Sequence, residues 1–502
     1  MLQTRTISIM REHSAHHFIN GTYQRGKGVV HSVYDPATEE QIGGYADAAQ
    51  EEIDQAITFA NQAQKQWWAL SALDRAEALH QIVEGLKQIS SEIGECMTRE
   101  MGKPFRESHW EATAPSSAFR YYAELARQEH GSVAGPAIAG QMHMTLKEPL
   151  GTIVSIVPYN FPVLLFCWQA AAALAAGNAI IVKPSELTPL TLLLLMRAFS
   201  HLPPGLVQVL TGGAEVGRYL VAHKQTHGVA FTGSVVAAQA VAQNAASLFK
   251  PALIEASGND PFIVMPSAPV EIVARGLTFA AFLNCGQVCT SAERIYVHEA
   301  IYERFMDAFV TEASKLRVGN GLTCVDIGPL ASRRELERVE RLVARALEQG
   351  ARLVTGGQRP AQQKSGWFYE PTILEVTHDM EIMHGESFGP IAPVCKVSSL
   401  NEAIALANDS EFGLGANIYT ENLEESTRAI NEIESGIVWV NTPLNDNDCV
   451  PFGGRKMTGA GRELGKEGLE QFRRSKMVMI APKAIDDMEW FPYSDILAFP
   501  QR

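Results

Sequence analysis

The sequence predicts an α/β protein of more than one domain, built on parallel sheets, and three observations lead there. From Gly151 onward, short runs rich in β-branched residues (152–157, 179–182, 207–210 and 229–231) are each followed by a helical stretch. That βαβα rhythm implies a parallel sheet with helices on both faces. A chain of 502 residues exceeds what one hydrophobic core usually supports, so two or three domains are expected. A hydrophobic fraction of 46% and a charged fraction of 20% are those of an ordinary globular protein.

Taken in order, the first part of the chain reads as helical. Residues 50–70, 72–101 and 106–126 carry apolar side chains at helical spacing among charges. Residues 133–144, rich in Gly and Ala, lie between this helical part and the sheet and are expected to form an arm. The Ala- and Leu-rich stretch 162–182 has the length of a membrane span, but Gln169, Gly177 and Asn178 interrupt it and Lys183 ends it. It is expected to be a buried helix, a turn and a buried strand. After Pro261 a second alternating region contains the run 294–297, the charged helix 333–349, and strands near Val354 and Val438. This predicts a second α/β domain that includes the loop around Cys289. The run 476–480 reads as a late strand. There is no internal repeat and no low-complexity tract.

The net charge of −14 argues against nucleic acid, which needs a basic footprint, and against an anionic membrane surface. Seven cysteines, scattered over a long chain, do not resemble a disulfide framework, so a cytoplasmic protein is expected. Residues 1–18 contain charges and histidines but no apolar run of the signal-peptide kind.

Several residues are of types that carry chemistry. Cys289 follows Gly286 by three residues and is flanked by Val288 and Thr290. A thiolate is a competent nucleophile, and a turn at a helix start would lower its pKa. The plain alternative is a small buried apolar residue. Cys285, four residues away, has no nearby His to complete a metal set, so no metal is expected. Glu255 is a lone acid in an apolar run, where burial would raise its pKa and suit it to general-base work; a strand-end acid facing solvent is the alternative. Asn160 follows a predicted strand and its amide could hold an oxyanion, or it could simply suit the turn beside proline. Lys183 and Glu186 follow another strand, as a ribose-binding pair or a surface turn. Phe231-Thr232-Gly233-Ser234 ends a strand and opens a helix, so its N–H groups would face a bound phosphate. No GxGxxG is present.

In combination these residues resemble the NAD(P)-dependent aldehyde dehydrogenase superfamily. The resemblance runs from about Phe18 to about Pro482 and rests on six segments in the family's order. They are Pro158-Tyr159-Asn160-Phe161-Pro162, Lys183-Pro184-Ser185-Glu186, Phe231-Thr232-Gly233-Ser234, Gly286-Gln287-Val288-Cys289, Glu386-Ser387-Phe388-Gly389-Pro390 and Pro451-Phe452-Gly453-Gly454. The resemblance implies that Cys289 is the nucleophile, Glu255 the base that activates water, and Asn160 with the Cys289 N–H the oxyanion hole. It assigns Lys183 and Glu186 to the adenosine ribose, Ser234 to a phosphate and Glu386 to the nicotinamide ribose. Phe388, Gly233 and Pro158 also belong to the cofactor set. Phe161, Trp168 and Phe452 would line a substrate tunnel, with Val288 and Thr290 flanking the thiol.

The family fold implies a cofactor-binding domain (1–129 and 149–255), a catalytic domain (256–473), and an oligomerisation arm with a C-terminal tail (130–148 and 474–502). A homodimer or homotetramer is implied. Three positions depart from the family pattern. Ala238 stands where a second glycine is usual, Ser257 adds a side chain where nicotinamide would lie, and Gln169 replaces the common lysine after Trp168. The aromatic tail from 485 to 502, which runs past the usual end, is expected to pack on a neighbouring subunit.

The expected activity is oxidation of an aldehyde to its acid through a cysteine thioester that Glu-activated water hydrolyses. NAD is favoured over NADP because Glu186 would repel a 2′-phosphate. The aromatic tunnel suits aliphatic or aromatic aldehydes. Alternatives are a semialdehyde dehydrogenase, a CoA-acylating dehydrogenase, or a binding protein that kept the fold and lost the chemistry.

Overall fold

The computed structural model describes residues 2–128, 130–484 and 490–491. The tail expected to pack on a neighbouring subunit lies outside these residues, Trp490 and Phe491 excepted.

The first sheet has five parallel strands in the spatial order Val207–Val209, Ala179–Lys183, Thr152–Ile156, Gly228–Gly233, Ala252–Ala256. Thr152–Ile156 and Ala179–Lys183 are buried at every position, so their apolar residues do not alternate with exposed ones. The strand His16–Ile19 pairs antiparallel at one edge and Gly459–Ala460 at the other. The chain passes from Thr152–Ile156 outward to two strands on one side, then crosses to Gly228–Gly233 on the other. The strand order therefore reverses beside Thr152–Ile156, and a crevice opens there, outside the carboxyl ends of the strands.

Helices cover this sheet. Ala72–Met101 starts at Ser71, whose hydroxyl accepts from the Asp74 N–H, and stops at Gly102, which is left-handed at φ 89°. The helical stretch expected over 106–126 is two helices, Phe105–Thr113 and Ser116–Leu125. Pro115 lies between them and has no N–H to continue the ladder. The stretch 162–182 is the helix Pro162–Ala175, a turn, and the strand Ala179–Lys183, as the sequence implies. Asn178 joins these, accepting from the Gly151 N–H at 2.8 Å and donating to the Ala173 and Phe472 carbonyls, each at 3.0 Å. Among the described residues no helix is long and apolar enough to cross a membrane.

The second sheet runs in the order Arg352–Thr355, Thr372–Glu375, Ile391–Val397, Ala292–His298, Asp260–Val264, Asn417–Tyr419, Trp439–Val440, parallel except at the first pairing. Each large sheet has its own apolar core. A third sheet, Arg473–Ile480, Met142–Pro149 and Gly131–Ala134, is antiparallel and carries exposed Val133, Met142, Met477 and Met479. The three-part division of the chain given above remains a proposal. Phe452, Leu464, Leu469 and Phe472, on the catalytic side of that division, pack into the core of the first sheet.

Candidate active site

A cleft of about 320 Å³ lies at the strand-order reversal, between the two large sheets. Pro158, Tyr159 and Asn160 enter it from the end of Thr152–Ile156, and Thr232, Gly233 and Ser234 from the end of Gly228–Gly233. Glu255, Ala256 and Ser257 come from the next strand, and Cys289, Arg338, Glu386 and Phe388 from the side of the second sheet. Eight of the residues chosen from sequence therefore meet in one place: Cys289, Glu255, Asn160, Pro158, Gly233, Ser234, Glu386 and Phe388.

Cys289 does not sit at a helix start, contrary to the sequence expectation. It lies in a turn between the helix Val270–Phe282, with the left-handed segment that follows it, and the strand Ala292–His298. With no helix terminus to lower it, its thiol is pushed well above the ordinary range, first by burial and then by the Glu255 carboxylate. Three consecutive left-handed residues, Asn284 (φ 51°), Cys285 (φ 58°) and Gly286 (φ 71°), shape the approach to this turn. For the two non-glycine residues that conformation costs about 1–2 kcal/mol each, so the surroundings must hold it. Glu107 accepts from the Asn284 N–H at 3.1 Å, and the Gln287 side chain bonds the Asn284 carbonyl at 3.0 Å and the Ala331 N–H at 3.0 Å. Gly286 is required for space as well, since a Cβ there would stand 2.0 Å from the Gly389 carbonyl oxygen.

Glu255 is in register with Thr232 on one side and Gly459 on the other. It is buried, with the Cys289 thiol as the hydrogen-bonding group that faces its carboxylate. Burial, then the nearby Glu463 carboxylate, push it well above the usual carboxylate range. Glu463 is itself pushed up to about 7 by burial. The departure at Gln169 has a visible consequence here. Its amide donates to Glu463 Oε1 at 2.9 Å and to Thr232 Oγ1 at 3.3 Å, while its oxygen accepts from Ser155 at 2.6 Å. A neutral side chain thus bridges to the acid beside Glu255.

Asn160 is buried, and its Nδ2 donates to the Gln287 carbonyl at 3.1 Å. A carbonyl can only accept, which fixes the NH2 end of the amide and leaves its second N–H for a ligand.

Ser234 stands at the N-cap of the helix Val235–Ala246 and makes no side-chain bond to the first turn, so those N–H groups have no cap from it. Lys183 ends the strand Ala179–Lys183 and Glu186 lies just beyond it, both outside the cleft lining. Lys183 Nζ bonds Glu186 at 3.0 Å and the Gly212 carbonyl at 2.8 Å. Glu386 accepts from the Gly258 N–H at 3.1 Å and bonds the Ser257 hydroxyl, and burial pushes it up to about 7. Ser257 therefore lines the cleft, as its extra side chain implied, with its hydroxyl engaged by Glu386. Phe388 is left-handed at φ 40° and is held from both sides. Its N–H donates to Glu293 at 2.7 Å and its carbonyl accepts from Arg338 at 2.9 Å. Its ring meets Tyr159 edge-on at 6.0 Å.

Trp168 and Phe452 are in contact, with ring centroids 5.2 Å apart. Phe161 is buried beneath the Lys103 ammonium, which stands 3.7 Å from its ring centroid. Val288 and Thr290 are buried on either side of Cys289. Sequence reasoning missed the supporting charges Lys103, Glu107, Glu111, Glu293 and Arg338. A signal existed for one pair: Glu107 and Glu111 are four apart, on one face of the helix Phe105–Thr113.

Residues 23–478 match the family described as the aldehyde dehydrogenase family. The chain is 35% identical over 486 residues to 3-sulfolactaldehyde dehydrogenase of Pseudomonas putida, covering 96% of this chain and 99% of that protein. Its fold is similar to that of betaine aldehyde dehydrogenase from Staphylococcus aureus in complex with NAD+. The TM-score there is 0.94 at 29% identity, covering 98% of this chain and 99% of that one. It is also similar to 3,6-anhydro-L-galactose dehydrogenase in complex with NADP, with a TM-score of 0.90 at 36% identity, covering 93% of this chain and 100% of that one.

Proposed function

This chain belongs to the aldehyde dehydrogenase family, whose members oxidise aldehydes to acids with NAD(P), and on that premise we propose which of its residues do the work. The observation that carries the proposal is the convergence of Cys289, Glu255 and Asn160 on one cleft.

The residues facing the cleft fit a dinucleotide. The uncapped helix start at Ser234 suits a phosphate, and the Glu386 carboxylate suits ribose hydroxyls. When bound, NAD supplies the hydride acceptor. The Cys289 thiol releases its proton to solvent in the cleft, its sulfur forms a bond to the aldehyde carbon, and the carbonyl oxygen becomes an oxyanion. Asn160 Nδ2–H and the Cys289 backbone N–H stabilise that oxyanion, each donor contributing roughly 3 kcal/mol. As the C–O double bond re-forms, the carbon gives up hydride and a thioester remains on Cys289. Glu255 then takes a proton from water, water oxygen bonds the acyl carbon, and the C–S bond breaks to return the thiolate and a carboxylic acid. Burial without a cation beside it supports Glu255 as the base, because such a carboxylate is more basic than a solvated one.

Arg338 holds the Ser387 carbonyl at 2.7 Å and the Phe388 carbonyl at 2.9 Å, and so supports the segment that carries Glu386. Arg338→Ala removes two charge-assisted bonds worth about 1.5–3 kcal/mol each. The expected result is a KM for NAD raised about tenfold, with kcat changed far less. Steady-state kinetics at saturating aldehyde measure it, and an unchanged KM would remove that supporting role.

We take NAD as the preferred cofactor. Glu186 is half-exposed at the strand end where the adenosine ribose is expected, and it would face a 2′-phosphate with like charge. Glu186→Ala is expected to shift the NADP-to-NAD ratio of kcat/KM about tenfold towards NADP, the repulsion being worth roughly 1–2 kcal/mol at a solvated site. A ratio that stays put would assign the preference elsewhere. Trp168 and Phe452 support aliphatic or aromatic aldehydes as substrates, and rates of NADH formation over an aldehyde panel test this. The exposed Val133, Met142, Met477 and Met479 of the third sheet support a homodimer or homotetramer. Free thiols, including exposed Cys324 and Cys449, support a cytoplasmic location.

A further inference from the structure

We infer that the buried Lys103–Glu111 ion pair is a positioning device for Asn160 and thereby sets the rate of thioester formation; this rests on the oxyanion role proposed above. Asn160 is carried by the turn between the strand Thr152–Ile156 and the helix Pro162–Ala175. Little within that turn holds it. Phe161, at the helix N-cap, makes no side-chain cap bond, and Pro162 has no N–H. The missing cap comes from another helix. Glu111 Oε1 accepts from the Val163 N–H at 2.9 Å and from the Leu164 N–H at 3.2 Å. The other oxygen of Glu111 pairs with Lys103 Nζ. That ammonium donates to the Asn160 backbone carbonyl at 2.6 Å and covers the Phe161 ring.

One ion pair therefore grips the chain on both sides of the reacting amide, at the Asn160 carbonyl and at the first turn of the following helix. The same carbonyl accepts from Asn284 Nδ2 at 3.1 Å, and Asn284 leads into the Cys289 turn. The side chains of Lys103 and Glu111 are both fully buried. A buried ion pair seldom stabilises a fold more than well-packed apolar groups do. Its cost is better explained by the geometry it imposes on the oxyanion donor and on the turn opposite it. Lys103 reaches the reaction only through Asn160, so it is a positioning residue and not a catalytic one.

The test is a double-mutant cycle read by the rate of the NADH burst, which reports thioester formation and not its hydrolysis. Lys103→Met is expected to slow the burst by about 10- to 100-fold, the cost of a misplaced donor, with the KM for NAD within about twofold of the parent. In an Asn160→Ala background the same substitution is expected to slow it by less than about threefold, because no amide remains to be misplaced. Effects that multiply in the double variant assign Lys103 to general structure and overturn the inference. An Asn160→Ala enzyme as fast as the parent removes the oxyanion role itself, which is a separate and distinguishable failure. Should Lys103→Met not fold, Glu111→Gln goes into the same cycle with the same two outcomes. It keeps an oxygen acceptor for the helix start and loses the charge.

Discussion

Cys289→Ala is expected to lower aldehyde oxidation by at least about 10⁴-fold, in a protein that still folds and still binds NAD. The size follows from the role: without the sulfur no covalent intermediate forms, and the remaining Asn160 and Glu255 have nothing to act on. Folding should survive because Cys289 lines the cleft, in a turn whose shape is set by neighbours on either side. Activity assays with NAD titration in parallel measure both halves, and a variant that still turns over aldehyde would end the assignment. The thiol has a pH signature as well. Burial and the Glu255 charge raise its pKa, so thiolate is scarce near neutral pH and becomes available as pH rises. Alkylation of Cys289 by iodoacetamide should therefore accelerate into the alkaline range. Because Glu255 contributes to the upward shift, Glu255→Gln should move that rise to lower pH.

Glu255→Gln is expected to slow steady-state turnover by about 10²- to 10⁴-fold while leaving a burst of NADH close to one per active site. Glutamine keeps the volume of the side chain but cannot take a proton from water, so the enzyme stalls as the thioester. The sign with pH is as follows. A general base works when deprotonated, and burial together with Glu463 raises the pKa of Glu255. The hydrolytic step of the parent should therefore speed up as pH rises above the ordinary carboxylate range, and the Gln variant should lack that rise. Rapid-mixing absorbance separates the burst from the later rate. Loss of the burst together with turnover would give Glu255 a part in thioester formation and not in hydrolysis alone.

Much of the cleft was legible because its residues lie at the carboxyl ends of strands, in short contiguous segments. Asn160, Ser234 and Glu255 each sit where an apolar run meets a polar residue, and a parallel sheet brings such ends together whatever the loops between them do. The environment of the thiol was not legible. A turn at a helix start would suit a nucleophilic thiol, yet the chain makes three left-handed residues and then a turn there. That conformation is unfavourable locally and persists because Glu107 and the Ala331 N–H, far away in sequence, hold the loop. The break at Pro115 was visible as a residue but its effect on the ladder went unread. Lys103, Glu111, Glu293 and Arg338 were invisible for another reason. Charged side chains look like solvated surface in a sequence, and only the folded structure shows that each holds a specific backbone group, three of them from full burial and Arg338 from a half-buried position.

By itself the sequence determined the α/β class, the membership signalled by six ordered segments, and which thiol, carboxylate and amide stand together at the cleft. These are properties of strand periodicity and of residue type at strand ends, and both are local. The tertiary structure decided how acidic the thiol is, how basic Glu255 is, what holds Asn160 in place, and that Gln169 bridges to Glu463. Those depend on desolvation and on the field of groups up to 294 residues away along the chain, as in the Gln169–Glu463 bond. Electrostatic energies follow distance in space and exclusion of water, and neither is written in the order of the residues.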